Sequence, residues 1–416
     1  MNQKLRDDAE QIIRSAIQAV TPDEAVRRTL EGKEFTGRIY IVAVGKAAWR
    51  MAESAARALH QPYTAGIIVT KYGHVKGDIS GFTCYEAGHP VPDENSFLAT
   101  QAVLDMTADL NEEDTVLFLL SGGGSALFEK SLVSGRELAD VTEQLLARGA
   151  DIVEINTIRK RLSAVKGGKF AKHCEPAHIE SIILSDIIGD PLDMIASGPA
   201  YPDSSSCEQA LDIADKYELK LSEKAWRLLE EETPKELSLA TSTVIGSVRE
   251  LCRAAMRECK NLGYEPIFLT DCLNVEARAA GKMLGNIAHS HSEDNRKLAF
   301  IAGGETVVHL SGKGKGGRNQ ELALGAAVGI SGLRHVAVFS VGSDGTDGPT
   351  DAAGGYVDGD TLSAAAAKGL SIEKSLQEND SYKLLEELGS LIVTGPTGTN
   401  VNDVAVVLID SAEYII

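Results

Sequence analysis

The residues best placed to do chemistry sit in glycine-rich loops that follow short apolar runs. Ser121-Gly122-Gly123-Gly124-Ser125-Ala126 comes directly after DTVLFLL. Three consecutive glycines let a backbone approach a ligand closely, and the amides that follow can point at an anion. A plain tight turn needs only one glycine, so Ser121, Gly122, Gly123, Gly124 and Ser125 read as an anion cradle. Lys46 follows Gly45 at the end of RIYIVAV. Its ammonium would project to the same edge, although a lysine at a helix start is also a common surface residue.

A second loop runs Ser311-Gly312-Lys313-Gly314-Lys315-Gly316-Gly317-Arg318-Asn319-Gln320, between TVVHLS and ELALGAAVGI. Gly312, Gly314 and Gly317 satisfy GxGxxG formally. A dinucleotide site would also place an acid about twenty positions on, for the ribose hydroxyls. None follows there. Lys313, Lys315 and Arg318 suit a polyphosphate instead, with Asn319 beside them. No GxxxxGK[ST] occurs, which excludes a P-loop.

Carboxylates gather in two further loops. Asp344, Asp347 and Asp351 lie in GSDGTDGPTD after HVAVFSV, where hard oxygen ligands suit Mg²⁺ carrying nucleotide phosphates. The twelfth position from Asp344 is Gly355, so this is not an EF-hand. Acidic turn residues also cap their own backbone, the competing explanation. Asp186 and Asp190 occupy a similar loop, SDIIGD, after HIESIIL. The segment 156–173, NTIRKRLSAVKGGKFAKH, carries Arg159, Lys160, Arg161, Lys166, Lys169 and Lys172 with no acid. In a chain of net charge -19 such a basic stretch is either a solvated helix face or a lure for an anionic substrate. TGPTGTNVND at 394–403 offers hydroxyls and carboxamides to a ligand's hydroxyl groups.

These loops need elements to position them. RIYIVAV, AGIIVT, DTVLFLL, HIESIILS, TSTVIG, EPIFLTD, KLAFIAGG, TVVHLS, HVAVFSV, SLIVTG and DVAVVLI alternate with helical stretches. Continuous apolar strands between helices predict α/β architecture with parallel sheets covered on both faces, and ligands at the strands' carboxyl ends. At 416 residues the chain exceeds one core, and the polar stretch at 231–234 marks a boundary. The expectation is two Rossmann-like α/β domains with mostly parallel sheets, 1–236 and 237–416, and an active site in the cleft between them. Whether the last strand returns to the first domain stays open.

Composition narrows the partners. Net charge -19 argues against nucleic acid, which needs a basic face. No apolar run is long enough for a bilayer, and MNQKLRDDAEQIIRSAIQAV is an amphipathic helix pattern, unlike a signal peptide, so a cytoplasmic protein is expected. The six cysteines lack CxxC spacing and read as reduced thiols.

Taken in order, SGGGSAL, NTIRKRLSAVKGGKFA, LSDIIGDPLDMIASGPAYPD, AGGETVVHLSGKGKGGRNQELAL, GSDGTDGPTDAAGG and TGPTGTNVNDV resemble the glycerate 2-kinase family with a MOFRL C-terminal domain, over about residues 46–403. The resemblance implies transfer of the ATP γ-phosphate to the 2-hydroxyl of D-glycerate, with ATP and Mg²⁺ as cofactors. The same family also carries the label hydroxypyruvate reductase. An NAD(P)-dependent reductase is the rival reading, supported by the formal GxGxxG and opposed by the missing ribose acid. The family's catalytic residues fall on Lys46 and Arg318, cations that would neutralise the transferred phosphoryl group. Under the same reading Asp186, Asp190, Asp344, Asp347 and Asp351 hold Mg²⁺ or accept the glycerate hydroxyl proton. Asp190 is placed with the catalytic residues, and the other four are placed at the metal. The loops at 121–125 and 312–317 would cradle phosphates, and Arg159 and Lys166 would meet the substrate carboxylate.

Overall fold

The structure is a computed structural model that describes residues 1–410. Its contacts divide the chain into two units, 22–245 and a discontinuous one made of 1–21 with 246–416. The sequence placed the boundary at 236/237. The TSTVIG strand expected to open the second domain instead pairs into the first unit's sheet, and the N-terminal helix joins the second unit.

The first unit is built on β1 (Ile39–Val44), β2 (Ala65–Lys71), β3 (Phe82–Ala87), β4 (Thr115–Leu120), β5 (His178–Leu184) and β6 (Ala240–Gly246). Their order in the sheet is β3-β2-β1-β4-β5-β6, and the pairs from β3 through β5 are parallel. β1 and β4 are buried along their whole length, which explains their unbroken apolar sequences. Val44 is level with Val69 on one side and Leu120 on the other, so the loops leaving β1, β2 and β4 emerge at one edge. Phe118, Phe128 and Phe170 form a mutual aromatic cluster on one face, with centroids 5.1 to 5.6 Å apart. The helices Gly135–Ala147, Ile152–Leu162, Cys207–Lys216 and Glu223–Glu230 share a separate apolar core.

The second unit holds β7 (Glu265–Leu273), β8 (Lys297–Gly304), β9 (Val336–Gly342), β10 (Gly354–Asp358), β11 (Leu391–Ile392) and β12 (Asp403–Asp410), ordered β11-β10-β9-β12-β8-β7. The sheet is mixed. β12 stays in this unit and runs antiparallel between β8 and β9, and β10 also opposes β9. A strand that runs against its neighbours begins where they end. Asp403 therefore pairs with both Gly304 and Gly342, and three loops converge there. The helix Gln3–Ala19 lays Leu5, Ile12, Ile13 and Ile17 against the helix Val248–Asn261 and this sheet.

Three expectations change. TVVHLS forms only an isolated bridge at Val307, with Leu310 83% exposed, because no described strand lies beside it. β3 and β10 were not expected: β3 is a half-buried edge with a mixed pattern, and β10 opens on two glycines. No described helix is long and apolar enough to cross a membrane. All six cysteines are free thiols, and burial pushes those of Cys174, Cys252 and Cys259 up to about 12.

Candidate active site

Strand order 3-2-1-4 reverses direction between β1 and β4, and open α/β sheets bind ligands outside the carboxyl ends at such a switch point. Here the loops after β1 and β4 are tied together. The Ser121 amide donates to the Val44 carbonyl (2.9 Å), the Lys46 amide to the Gly122 carbonyl (2.9 Å) and the Ala47 amide to Ser121 Oγ (3.1 Å). The glycines are required for close approach. A Cβ at Gly122 would collide with the Asp186 carboxylate. At Gly123 (φ +89°) it would lie 2.9 Å from His89 Cδ2 and 3.5 Å from Lys46 Cγ. Gly123 caps the short helix Gly124–Leu127, whose first amides have no partner within the helix. Lys46, the 121–125 loop, Asp186 and His89 are thus brought together. Asp190 lies farther along the Asp186 loop at φ +51°, and its Oδ1 is buried without a partner among the described residues.

The basic segment does something other than attract a substrate. Lys166 is fully buried, and its Nζ donates to the carbonyls of Ser125 (2.8 Å) and Phe128 (3.1 Å) with Glu129 at 3.6 Å. Burial pulls its pKa down to about 8. Arg159 donates to the Ser125 carbonyl (3.1 Å) and to Glu129 (3.4 Å). Lys169 caps the end of the helix Ile152–Leu162 through the carbonyls of Lys160, Arg161 and Ser163. Lys160 pairs with Asp203 at 2.8 Å, and buried Arg161 donates to Ser205. The placement of Arg159 and Lys166 at the substrate carboxylate gives way to a supporting role: they fix the Ser125 turn from behind. Charge pattern alone could not separate a solvated basic helix from buried pillars, because the partners lie far away in sequence.

In the second unit the helix Arg318–Ala327 starts at Gly317. Arg318 makes a two-pronged contact with Asp403, Nε to Oδ2 at 2.6 Å and Nη2 to Oδ1 at 3.1 Å, while Nη1 donates to Glu305 at 2.8 Å. Burial would lower the guanidinium pKa, but Asp403 and Glu305 more than offset it and hold the charge firmly in place. Asp403 and Glu305 were not expected to take part. Only the strand register reveals them, since Asp403 opens β12 beside Gly304, next to Glu305.

Three amides of the 312–317 loop are committed to the segment at 378–380. Gly312 N donates to Asn379 Oδ1 (2.9 Å), Gly314 N to the Glu378 carbonyl (2.8 Å) and Lys315 N to Asp380 (3.1 Å). Its glycines exist because a Cβ at Gly312 or Gly314 would strike the backbone at 378–380. Lys315 Nζ lies 4.0 Å over the Tyr382 ring, and Lys313 is exposed. Asn319 is buried and accepts from Ser340. These contacts commit the amides of Gly312, Gly314 and Lys315 that the phosphate-cradle reading of Gly312, Lys313, Gly314, Lys315, Gly317 and Asn319 would use. The same packing accounts for two of the three GxGxxG glycines, Gly312 and Gly314.

The acidic loop divides. Asp347 is 2% exposed and caps the Arg318–Ala327 helix, accepting from the amides of Asn319 (3.1 Å) and Gln320 (2.9 Å). A Cβ at Gly317 would collide with it. Burial pushes its pKa up to about 7 despite those two amides. Asp351 is exposed and accepts from the Tyr382 hydroxyl at 2.8 Å. Asp344 accepts from the Thr346 amide and flanks Gly342 opposite Asp403, each with an Oδ1 3.4 Å from where a Cβ would be. Among the described residues no group of three or more His, Cys, Asp or Glu side chains is arranged to hold a metal. Asp347 is committed to the helix amides and Asp351 to Tyr382, while Asp186 and Asp344 each lie against a glycine turn.

Comparison with known proteins places these features in a family. Residues 8–230 match a domain of unknown function, DUF4147, and residues 298–403 match the MOFRL family. The chain is 50% identical to a D-glycerate 2-kinase of Thermotoga maritima, covering 98% of this chain and 99% of that protein. It is 40% identical to a glycerate 2-kinase of Pyrococcus horikoshii, covering 98% of each. The crystal structure of the glycerate kinase from Thermotoga maritima superposes with a TM-score of 0.94, covering 98% of this chain and all of that one.

Proposed function

Since this chain belongs to the glycerate 2-kinase family, we propose that it transfers the γ-phosphoryl group of ATP to the 2-hydroxyl of D-glycerate, giving 2-phosphoglycerate and ADP. The observation that carries this reading is the meeting of Lys46 with the 122–124 loop at the sheet's switch point. Phosphoryl transfer asks for little covalent help; it asks for a held nucleophile and positive charge around the moving group. The first amides of the Gly124–Leu127 helix receive phosphate oxygens, and Lys46 neutralises the charge that grows on them. The glycerate 2-hydroxyl oxygen bonds to the γ-phosphorus as the bond to the ADP oxygen breaks. The hydroxyl proton passes to Asp190, whose buried Oδ1 has no other partner among the described residues. In the other unit, Arg318 offers an anion the N–H groups that Asp403 and Glu305 leave over.

Magnesium accompanying the nucleotide would shield the phosphate charge, and such ions take only one or two protein carboxylates. Asp186 in the first unit, or Asp344 in the second, fits that requirement by its place against a glycine turn. EDTA is expected to abolish turnover and Mg²⁺ to restore it. Asp186→Asn or Asp344→Asn should raise the Mg²⁺ needed for half-maximal rate; unchanged dependence in both removes them as ligands.

The deciding experiment is purified protein with Mg·ATP and D-glycerate, read by phosphorus NMR. The expected product is 2-phosphoglycerate alone. Only 3-phosphoglycerate would overturn the regiochemistry, and NADH oxidation with hydroxypyruvate in place of ATP turnover would overturn the class.

A further inference from the structure

With Arg159 and Lys166 committed to carbonyls and Glu129, the acceptor's carboxylate needs another partner. The lysines and the imidazole that remain stand at the carboxyl ends of β1, β2 and β3. Lys46 follows β1, Lys71 ends β2, and His89 comes two residues after the end of β3, where Lys71 is level with Ala87. The ends are fastened together: the Gly45 amide donates to the Val69 carbonyl (3.1 Å), Thr70 Oγ1 to the Gly45 carbonyl (2.9 Å), and the His74 ring meets the Lys46 carbonyl (3.1 Å). Among the described residues the side chains of Lys46, Lys71 and His89 have no hydrogen-bond or ion-pair partner. Every cation of the 159–169 segment, by contrast, has one. Two carboxylates on and after β3 are occupied elsewhere, Glu86 with the Val75 amide and Asp93 with the Tyr72 hydroxyl and the Ser96 amide, while Asp186 lies against Gly122.

Resting on the kinase reading above, we propose that Lys71 and His89 form the subsite for the carboxylate of the acceptor, a small 2-hydroxycarboxylic acid. The layout separates two anions. Phosphate oxygens take the amides on the β4 side of the switch point, and the carboxylate takes the β2–β3 side. His89 lies against Gly123 with Nε2 3.1 Å from the position of a Cβ there, so a group bound by it adjoins the phosphoryl site. In a 2-hydroxy acid the carboxylate is attached to the very carbon that bears the reacting oxygen, which demands this adjacency. Partial burial, then Lys46, Lys71 and His74, hold the His89 imidazole below its usual range, so at neutral pH it is an uncharged donor. Lys71 then supplies the charge and His89 the direction.

Steady-state kinetics of the full chain test this, with D-glycerate and Mg·ATP varied separately. Lys71→Met and His89→Gln are each expected to raise the KM for D-glycerate at least tenfold, leaving the KM for ATP within about twofold. A double variant Lys71→Met/His89→Gln should lose the preference for D-glycerate over its methyl ester, which has no charge to recognise. If the KM for ATP rises instead, the cluster serves the nucleotide and the proposal falls. If neither constant moves in variants with wild-type melting curves, it also falls. Should Lys71→Met not fold, Lys71→Gln carries the same expectation. A wild-type enzyme inactive on D-glycerate sinks the kinase reading and this subsite with it, whereas an active wild type with unmoved variants sinks the subsite alone.

Discussion

Arg318 spends three of its five N–H groups on two carboxylates, and that expenditure fixes what it can do. Asp403 sets the plane of the guanidinium and leaves the outer hydrogens for a ligand. Losing a preorganised charge donor typically costs ~3 kcal/mol of transition-state stabilisation. Lys46→Ala and Arg318→Ala should each therefore lower kcat by on the order of a hundredfold with circular dichroism unchanged. Added guanidinium should partly restore Arg318→Ala but not Arg318→Ala/Asp403→Asn. Equal rescue of both would show that Asp403 does not position the group. Asp347 makes a different kind of prediction. Its folded pKa, about 7, lies above the unfolded carboxylate value, so its contribution is fully present below about pH 4 and lost as pH rises through 7. Urea unfolding at pH 5 and pH 7.5 should show the wild-type advantage over Asp347→Asn shrinking at the higher pH. A gap independent of pH would mean that Asp347 titrates normally. The glycine triplet was legible because a turn that needs three glycines is rare; Asp403, Glu305 and His89 were not, because only register and strand order bring them to the loops.

Among the elements, the most informative is the helix Ile152–Leu162 with the turn that follows it. Its sequence and the segment after it show six positive charges, and the fold shows where five of them go: into carbonyls, a buried serine and buried acids that brace Ser125 and the helix end, while Lys172 pairs with Glu175 at the surface. Lys166→Met should act on stability. Removing it takes the buried donor away from the Phe128 carbonyl and leaves Glu129 with Arg159 at 3.4 Å, and a buried acceptor left without its donor typically costs about 1–3 kcal/mol. A fall in melting temperature of several degrees with little change in the KM for glycerate is expected; a large KM change without a stability loss would return Lys166 to the substrate. The same distinction between pattern and packing explains the GxGxxG loop. Its glycines answer to the backbone at 378–380, a constraint that no local spacing rule can see. Buried strands such as DTVLFLL and DVAVVLI were legible from their apolar runs. The direction of β12 was not, because a strand buried on both faces reads alike whether its neighbours run with it or against it.

At the scale of the whole chain, the division at 245/246 and the assignment of 1–21 to the second unit decide which pieces can stand alone. The polar stretch at 231–234 gave a visible cue, but it precedes the last strand of the first sheet. The amphipathic pattern of residues 3–19 was also visible, yet a buried stripe does not say which core it enters. Leu5, Ile12, Ile13 and Ile17 enter the second one. At roughly 1.5–3 kcal/mol for each large apolar side chain, their burial contributes about 6–12 kcal/mol, as much as the net stability of a typical domain. Residues 22–245 expressed alone should therefore melt cooperatively, whereas residues 246–416 alone should bind hydrophobic dyes and lack a sharp transition. Co-expression of 246–416 with a peptide of residues 1–21 should restore that transition. A cooperative melt of 246–416 without the peptide would show that the helix is an accessory to this unit rather than a part of its core.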